Sequence, residues 1–204
     1  MRTLTVVLLP PDTNIVGSHW THICKCNEDR TARAKSRVVA QGFTQTFGVD
    51  YDETYAPVSR LASLRSICAI SARNDWPIHQ MHVYNAYVNA DLDEPIYMRQ
   101  PQGYTQVSDQ HVLKPAMYGL KQSGRAWYKC LSTAMDKIGF SKSKSDAKSK
   151  SDGAIFYRHA GKGFAIIAVA VDDLTITSKN DDIIQEIKAD LMKIFKMKDL
   201  GKLH

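Results

Sequence analysis

Residues 163–178 read GFAIIAVAVDDLTITS, one of the most apolar stretches of the chain, interrupted by two adjacent aspartates. An apolar run of strand-forming residues precedes Asp172 and Asp173, and a β-branched run follows them. Two such runs with a short polar interruption predict a pair of antiparallel strands joined by a tight turn. The two carboxylates are therefore expected at the tip of a hairpin.

Two adjacent carboxylates beside an apolar strand need a compensating charge. Burying one ionised carboxylate is costly, and two neighbouring negative charges oppose each other's ionisation. A divalent metal ion bound by Asp172 and Asp173 would remove this cost. The alternative is an ordinary solvated turn, because Asp is common in turns.

Composition indicates a globular protein with a basic surface. Of 204 residues 44% are hydrophobic and 24% charged, which argues against disorder of the whole chain, and the net charge is +6. The bases cluster in residues 25–37, 114–129 and 137–150. Such patches suit a polyanionic partner such as nucleic acid, although solvated surface lysines give the same composition.

The cysteines and the N-terminal sequence indicate the cellular compartment in which the protein is expected. Four unevenly spaced cysteines do not suggest a disulfide scaffold, so a reducing compartment is the default. The first residues, MRTLTVVLLPP, lack a cleavage pattern, and no run reaches the roughly 20 apolar residues that span a bilayer. A cytoplasmic or nuclear, non-secreted protein without membrane association is expected.

The remaining patterns alternate irregularly between strands and helices. Strand-like segments broken by turns fill the chain to about Arg60, and strands are predicted at 78–83 and within EPIYMRQP. Helical spacing predicts helices over 63–72, over 123–138, and from Asp181 or Asp182 onward. This order predicts an α+β fold with layer packing.

A tandem near-repeat interrupts the order of elements. Residues 141–146 read SKSKSD and residues 147–152 read AKSKSD. A segment of small and charged residues cannot form core, so a solvated loop extension is expected. It is either a basic flap near nucleic acid or a tolerated insertion.

The segment HWTHICKC offers four residues that are able to bind zinc, namely His19, His22, Cys24 and Cys26. On a strand, His22, Cys24 and Cys26 share one face with Trp20, whereas His19 faces the other way. Ligands in a row make a poor tetrahedral site, so a half-buried strand is favoured over structural zinc.

The segment YGLKQSGRAWY, residues 118–128, places a glycine turn, Lys121, Gln122 and Arg125 ahead of an amphipathic helix. Backbone amides at a helix start, flanked by bases, suit phosphate or the backbone of a nucleic acid template. Any capped basic helix looks similar, so this motif is not specific alone.

Several motifs taken together are specific enough to indicate a protein family. The chain contains, in order, RVVAQGFTQTFGVDYDETYAPVSRLASLRSICAISARNDWPIHQMHVYNAYVNADLDEPIYMRQPQGY, HVLKPAMYGLKQSGRAWY, AVDDLTITS and FKMKDLGKL. From about Leu9 to Leu203 it resembles the reverse transcriptases (RNA-dependent DNA polymerases) of copia-type retrotransposons.

This resemblance implies a right-hand polymerase fold with an antiparallel palm sheet packed on helices. The implied division is fingers in 1–78 and 95–122 and palm in 79–94 and 123–204, with thumb and ribonuclease H domains expected to be absent. The implied partners are an RNA or DNA template-primer, deoxynucleoside triphosphates and the remainder of a polyprotein. The implied cofactor is Mg²⁺ or Mn²⁺.

The resemblance also assigns roles to residues. Asp172 and Asp173 match the two metal-binding aspartates of the palm hairpin, and hard oxygen ligands suit magnesium. Tyr87 matches the aromatic residue that excludes a ribose 2′-hydroxyl. Gln122, and more loosely Lys35 and Arg37, match positions that contact the incoming nucleotide or the template.

Departures from the family pattern predict impaired chemistry. His82 stands where the family has its third metal-binding aspartate, and imidazole supplies neither negative charge nor a bridging carboxylate. Ala170 replaces an aromatic residue of the hairpin motif. We therefore expect a reverse transcriptase fragment that is weakly active or inactive. The alternatives are a non-catalytic nucleic-acid-binding protein and a decayed remnant of the polyprotein.

Overall fold

The computed structural model describes residues 6–26, 30–103, 111–113, 117–143, 152–159 and 163–203, of which 111–113 by backbone only. The elements in chain order are β1 (Val6–Leu8), β2 (Ile15–Val16), β3 (Ser18–Cys26), β4 (Ala32–Ala40), α1 (Leu61–Arg73), β5 (Ile78–Val83), β6 (Tyr97–Arg99), β7 (His111–Leu113), α2 (Ser123–Lys137), β8 (Ser141–Lys142), β9 (Ile155–Arg158), β10 (Ala165–Ala170), β11 (Asp173–Ser178), α3 (Asp181–Ile194) and β12 (Met197–Lys202).

The chain divides into two compact units, each built from two segments. Unit 1 comprises Met1–Tyr55 and Ala90–Trp127, and unit 2 comprises Ala56–Asn89 and Tyr128–His204. Mixed helices and sheets, with a large antiparallel sheet in unit 2, agree with the predicted α+β class. The division into fingers and palm stays a prediction.

Unit 2 is organised by a six-stranded sheet in the order β12-β5-β11-β10-β9-β8, in which each neighbouring pair is antiparallel. In β5 alternate residues are buried, and in β10 and β11 most residues are buried, as expected for the centre of a sheet packed on helices. The core includes these fully buried side chains: Met81, Leu131, Met135, Phe156, Ile167, Leu174, Ile176, Ile184, Ile187 and Leu191.

Unit 1 contains a four-stranded sheet, β1-β7-β6-β2, and a separate ribbon formed by β3 and β4 alone. Its core contains Val16, Ala40, Ile96, Met98, Met117 and Leu120. Gly119 has φ +98°, and a Cβ there would collide with the carbonyl of Ala40, so this close approach requires glycine.

The structure confirms most of the predicted elements of the middle and end of the chain. Strand β5 covers the predicted 78–83, and helix α3 begins at Asp181 as expected. Helix α1 is three residues longer than the predicted 63–72, and α2 ends one residue earlier than predicted. The strand-like pattern does not continue to Arg60, because β4 ends at Ala40 and a single 3₁₀ turn, Gly42–Thr44, follows before α1.

Two expectations about exposed segments were wrong in part. Residues Ser141–Lys142 of the repeat are exposed, as expected, but form the short strand β8 rather than loop, and Asp152 at the end of the repeat is buried rather than solvated. The rest of the repeat, 144–151, lies outside the described residues. Strand β3 is exposed on both faces from His22 to Cys26 rather than half-buried, because among the described strands it pairs with β4 alone.

Candidate active site

The hairpin that carries the two aspartates has a two-residue connection. Ala170 pairs with Asp173 at the end of the β10–β11 ladder, which leaves Val171 and Asp172 in the turn. The predicted hairpin is thereby confirmed. Val171 has φ +57°, a left-handed conformation that is unusual for a β-branched residue and carries backbone strain.

His82 of β5 lies directly beside this hairpin. It pairs with Asp173 in the β5–β11 ladder, and its Nδ1 lies 2.8 Å from Oδ1 of Asp173. The backbone N–H of Val83 donates a hydrogen bond of 2.7 Å to the carbonyl of Asp172. Unit 2 therefore brings together the three positions at which the resemblance predicts metal ligands.

The His82–Asp173 pair is partly open to solvent, with side chains 37% and 64% exposed. At this exposure the hydrogen bond gains little from a low dielectric, so it fixes the orientation of the two groups more than it stabilises the fold. Nδ1 of His82 and Oδ1 of Asp173 are nevertheless hydrogen-bonded to each other.

Tyr87 lies near Asp172 in unit 2. It belongs to a short 3₁₀ turn, Ala86–Asn89, and its side chain is half-buried. Burial, and secondly the negative charge of Asp172, raise the pKa of the Tyr87 phenol above its ordinary value. The phenol therefore stays neutral near Asp172 at physiological pH.

Gln122 is fixed by a network inside unit 1. Its amide oxygen accepts a hydrogen bond from Gln45 over 2.9 Å, and its amide nitrogen donates to the carbonyl of Asp50 over 2.8 Å. The Asp50 carboxylate in turn accepts from Asn14 and from the backbone N–H of Thr46. This network holds Gln122 in one orientation.

The other predicted binding residues of unit 1 are also engaged. Lys121 Nζ donates to the hydroxyl of Tyr51 over 3.0 Å and lies 4.9 Å from the centre of that ring. Arg125 forms an ion pair with Glu53, and both side chains are largely exposed. A phosphate would compete with Glu53 for the guanidinium group.

Lys35 and Arg37 lie on the ribbon of unit 1. In the β3–β4 register Lys35 is opposite Ile23 and Arg37 is opposite Thr21, which places both bases on one face. Lys25 and Arg33 are opposite each other on the same face. The ribbon therefore presents four bases along one side, as a nucleic acid backbone would require.

A buried charged network in unit 2 was not foreseen from the sequence. Lys188 of α3 is 4% exposed, and its Nζ lies 2.7 Å from Nδ1 of His79 and 2.8 Å from both carboxylate oxygens of Asp199. Nε2 of His79 lies 2.7 Å from Oδ1 of Asp181. The spacing of Lys188 from Ile184 and Leu191, both buried, was the available signal.

The donor set at the hairpin does not match the magnesium site implied by the resemblance. Magnesium prefers oxygen ligands, whereas the third position here offers an imidazole that is hydrogen-bonded to one of the carboxylates. Across the part of the chain that the structure describes, no three His, Cys, Asp or Glu side chains are grouped as metal ligands. This includes the zinc candidates His19, His22, Cys24 and Cys26.

Comparison with known proteins identifies the family. The reverse transcriptase (RNA-dependent DNA polymerase) family matches residues 1–204. The chain belongs to this family.

Similarity to retrotransposon polyproteins supports the same family assignment. The chain is 36% identical over 204 residues to the retrovirus-related Pol polyprotein from transposon TNT 1-94 of Nicotiana tabacum, covering 98% of this chain and 15% of that protein. It is 35% identical over 199 residues to the corresponding polyprotein from transposon RE1 of Arabidopsis thaliana, covering 96% of this chain and 13% of that protein.

The resemblance to copia-type retrotransposon reverse transcriptases is therefore confirmed, and the chain corresponds to less than one sixth of the length of these relatives. None of the helices in the described ranges combines the length and apolar character needed to cross a bilayer.

Proposed function

We propose that this reverse transcriptase segment provides fingers and palm, with unit 2 acting as the palm and unit 1 as fingers. Relative to the division expected from the resemblance, this assigns residues 56–78 to the palm and residues 90–94 and 123–127 to the fingers. The antiparallel sheet of unit 2 supports this assignment, since it carries Asp172 and Asp173 on a tight hairpin beside β5. The basic ribbon of unit 1 suits contact with a template or a nucleotide. The proposed reaction of the family is template-directed DNA synthesis on an RNA or DNA template-primer.

We further propose that this chain performs the reaction poorly or not at all. The observation that supports this is the pairing of His82 with Asp173, with Nδ1 and Oδ1 2.8 Å apart. Two-metal nucleotidyl transfer, which Mg²⁺ or Mn²⁺ supports in this family, needs carboxylates at that position. The loss of one preorganised electrostatic group lowers rates by about 10²-fold to 10³-fold.

The remaining residues would bind and orient the substrates. Tyr87, neutral and beside Asp172, is suited to packing against the sugar of an incoming nucleotide and excluding a 2′-hydroxyl. Gln122, held by Gln45 and Asp50, would present a fixed amide to the nucleotide or template. Lys121 and Arg125 would neutralise phosphates, as would Lys35 and Arg37 on the ribbon.

Primer extension tests the enzymatic proposal. Purified chain is incubated with an RNA template, a DNA primer, nucleotides and Mg²⁺ or Mn²⁺, and the wild type is compared with His82→Asp and Asp172→Ala. His82→Asp is expected to raise extension by about 10²-fold or more. His159→Asp, which adds the same charge at an exposed position of unit 2, is the matched control and is expected to change nothing.

Extension that survives Asp172→Ala would show that the hairpin is not the site of chemistry. Equal extension by the wild type and His82→Asp would show that His82 is not the limiting defect. Both results are informative only for folded protein, so circular dichroism of each variant accompanies the assay.

The basic face of the ribbon favours a second function, which is non-catalytic binding of nucleic acid. Four bases on one face of an exposed ribbon bind phosphates regardless of the state of the hairpin. Retention of an RNA–DNA hybrid should weaken steeply with salt, and Lys35→Ala should reduce the slope of log affinity against log salt by about one unit.

Lys179→Ala, at an exposed position of unit 2, is the control for this measurement. Retention that is equal at low and high salt, or equally reduced by both variants, would contradict binding by the ribbon.

A further inference from the structure

Two exposed cysteines stand on the ribbon of unit 1. Cys24 and Cys26 both have free thiols and both are exposed, whereas Cys68 and Cys130 are half-buried in helices α1 and α2. Free cysteine is one of the residues most often buried in proteins, so two exposed thiols within three residues are informative.

The strand geometry directs both thiols to the same side. Residues two apart on a strand share a face, so Cys24 and Cys26 are neighbours on the face opposite to the four bases. Their partners across the ladder are Ala34 and Ala32. An alanine methyl group is too small to cover a neighbouring thiol, and among the described residues both cysteines are exposed.

The two cysteines can be joined only if residues 24–26 leave the extended conformation. On a strand the Cα atoms and the Cβ atoms of residues two apart are both about 6.4–6.8 Å apart, whereas a disulfide needs Cβ atoms about 3.5–4.5 Å apart. Cys26 is the last residue of β3 and pairs with the first residue of β4. Closing the bond therefore bends residues 24–26 and disturbs the last three pairs of the ladder, Cys24 with Ala34, Lys25 with Arg33 and Cys26 with Ala32.

We propose that Cys24 and Cys26 form a reversible thiol–disulfide pair that reacts with low-molecular-weight disulfides of the glutathione class. One cysteine thiolate attacks the small disulfide, forms a mixed disulfide and releases one thiol. The second thiolate attacks the protein sulfur of the mixed disulfide and releases the second thiol. Two electrons pass from the cysteines to the small disulfide, and the two cysteine protons end on the released thiols.

The reaction changes the basic face of the ribbon as well. Lys25 lies between the two cysteines and points to the side of Arg33, Lys35 and Arg37. An eleven-atom ring around Lys25 would reorient its backbone. The oxidation state of the pair is thus expected to alter the charge pattern of the ribbon, and the reaction itself does not depend on polymerase activity.

The sequence offers a direct test, because trypsin cleaves after Lys25. The folded full chain is equilibrated with oxidised glutathione, alkylated, digested and examined by mass spectrometry without reduction. The peptide ending at Lys25 and the peptide Cys26–Arg30 are expected to be joined, and a reductant should separate them. Electrophoresis without reductant should show a monomer, which excludes a bond between two chains.

Variants separate this pair from general thiol reactivity. Cys68→Ser/Cys130→Ser should retain the joined peptides, whereas Cys24→Ser and Cys26→Ser should each stop at the mixed disulfide with glutathione. The matched control Ile23→Cys/Cys24→Ser moves one thiol to the opposite face, keeps the trypsin site after Lys25, and should lower the fraction of closed bond at least tenfold. Absence of joined peptides from the wild type at high oxidised glutathione, or equal closure in the control, would overturn the proposal.

Discussion

The buried ammonium group of Lys188 donates a hydrogen bond of 2.7 Å to Nδ1 of His79, which links helix α3 to strand β5 within unit 2. Since Nδ1 accepts this bond, the neutral ring carries its proton on Nε2, which faces Asp181 over 2.7 Å. Lys188 also reaches Asp199 of β12. Lys188 therefore connects helix α3 to strands β5 and β12. Strand β5 also carries His82, three residues after His79.

Replacing Lys188 should destabilise unit 2. Lys188→Met keeps the apolar stem but leaves Nδ1 of His79 without its donor and Asp199 without its counter-charge. Removal of one partner of a buried pair costs about 3–5 kcal/mol, and because Asp199 is 38% exposed we expect about 2–3 kcal/mol. Urea denaturation measures this loss.

Lys193→Met is the control, since Lys193 pairs with Asp190 while 74% exposed and should change stability by less than about 0.5 kcal/mol. Equal losses in the two variants would contradict a structural role for Lys188.

The same network predicts a pH dependence of stability. Burial, and secondly the charge of Lys188, hold the pKa of His79 below its ordinary value of 6.5, although Asp181 and Asp199 oppose this. Below pH 6.5 the unfolded chain binds a proton that folded His79 resists. The free energy of unfolding should therefore fall as the pH drops from 7 through 6.5 toward the folded pKa, by at most about 1.4 kcal/mol per pH unit from this group.

His79→Gln retains an acceptor for Lys188 and a donor for Asp181, and it should remove this part of the slope. Denaturant titrations of both proteins from pH 7.5 to 5 make the comparison. Parallel curves would show that His79 does not set the slope.

Much of the fold could be predicted from the sequence, because β5, α3 and the β10–β11 hairpin follow local patterns of apolar residues. Lys188 and Asp152 could not, because their burial depends on partners distant in the chain. Lys188 looks like a solvated helix residue until His79 and Asp199 are placed beside it.

At the site, the resemblance predicts a metal-ligand position at His82, and only the sheet register shows that His82 bonds to Asp173. The exposure of β3 depends likewise on which strands lie next to it.

The tandem repeat supplies a second copy of a structural aspartate. Asp152 accepts hydrogen bonds from the backbone N–H groups of Arg60, over 2.6 Å, and Ala154, over 3.1 Å. Burial alone would raise the pKa of Asp152, but these bonds and one from Ser63 bring it below its ordinary value. Asp152→Ala should therefore cost about 1.5–3 kcal/mol, because donors would lose a charged acceptor.

Deleting residues 147–152 should be nearly neutral by contrast, since the chain then reads SKSKSDGAIF and Asp146 precedes Gly153. Shortening a loop by six residues changes its closure entropy by less than about 1 kcal/mol. Adding Asp146→Ala to the deletion should restore the loss seen for Asp152→Ala. Thermal unfolding of the three variants measures these differences, and a deletion as damaging as Asp152→Ala would show that the copies are not equivalent.

Restoring the carboxylate at position 82 should make folding dependent on divalent ions. His82→Asp replaces the hydrogen-bond partner of Asp173 with a third negative charge near Asp172 and Asp173. Like charges at this spacing oppose each other, so in the presence of a chelator the free energy of unfolding of the variant should be about 1 kcal/mol lower than that of the wild type.

Mg²⁺ or Mn²⁺ at 100 times its dissociation constant would raise the free energy of unfolding of the variant by about 2.7 kcal/mol. The wild type, in which the His82 side chain is hydrogen-bonded to Asp173, should be stabilised much less by either ion. Thermal unfolding with chelator and with each ion measures both effects independently of catalysis. His82→Asn, which adds no charge, is the control and should respond to neither ion, and an equal gain in wild type and His82→Asp would contradict the assignment of His82 to the third ligand position.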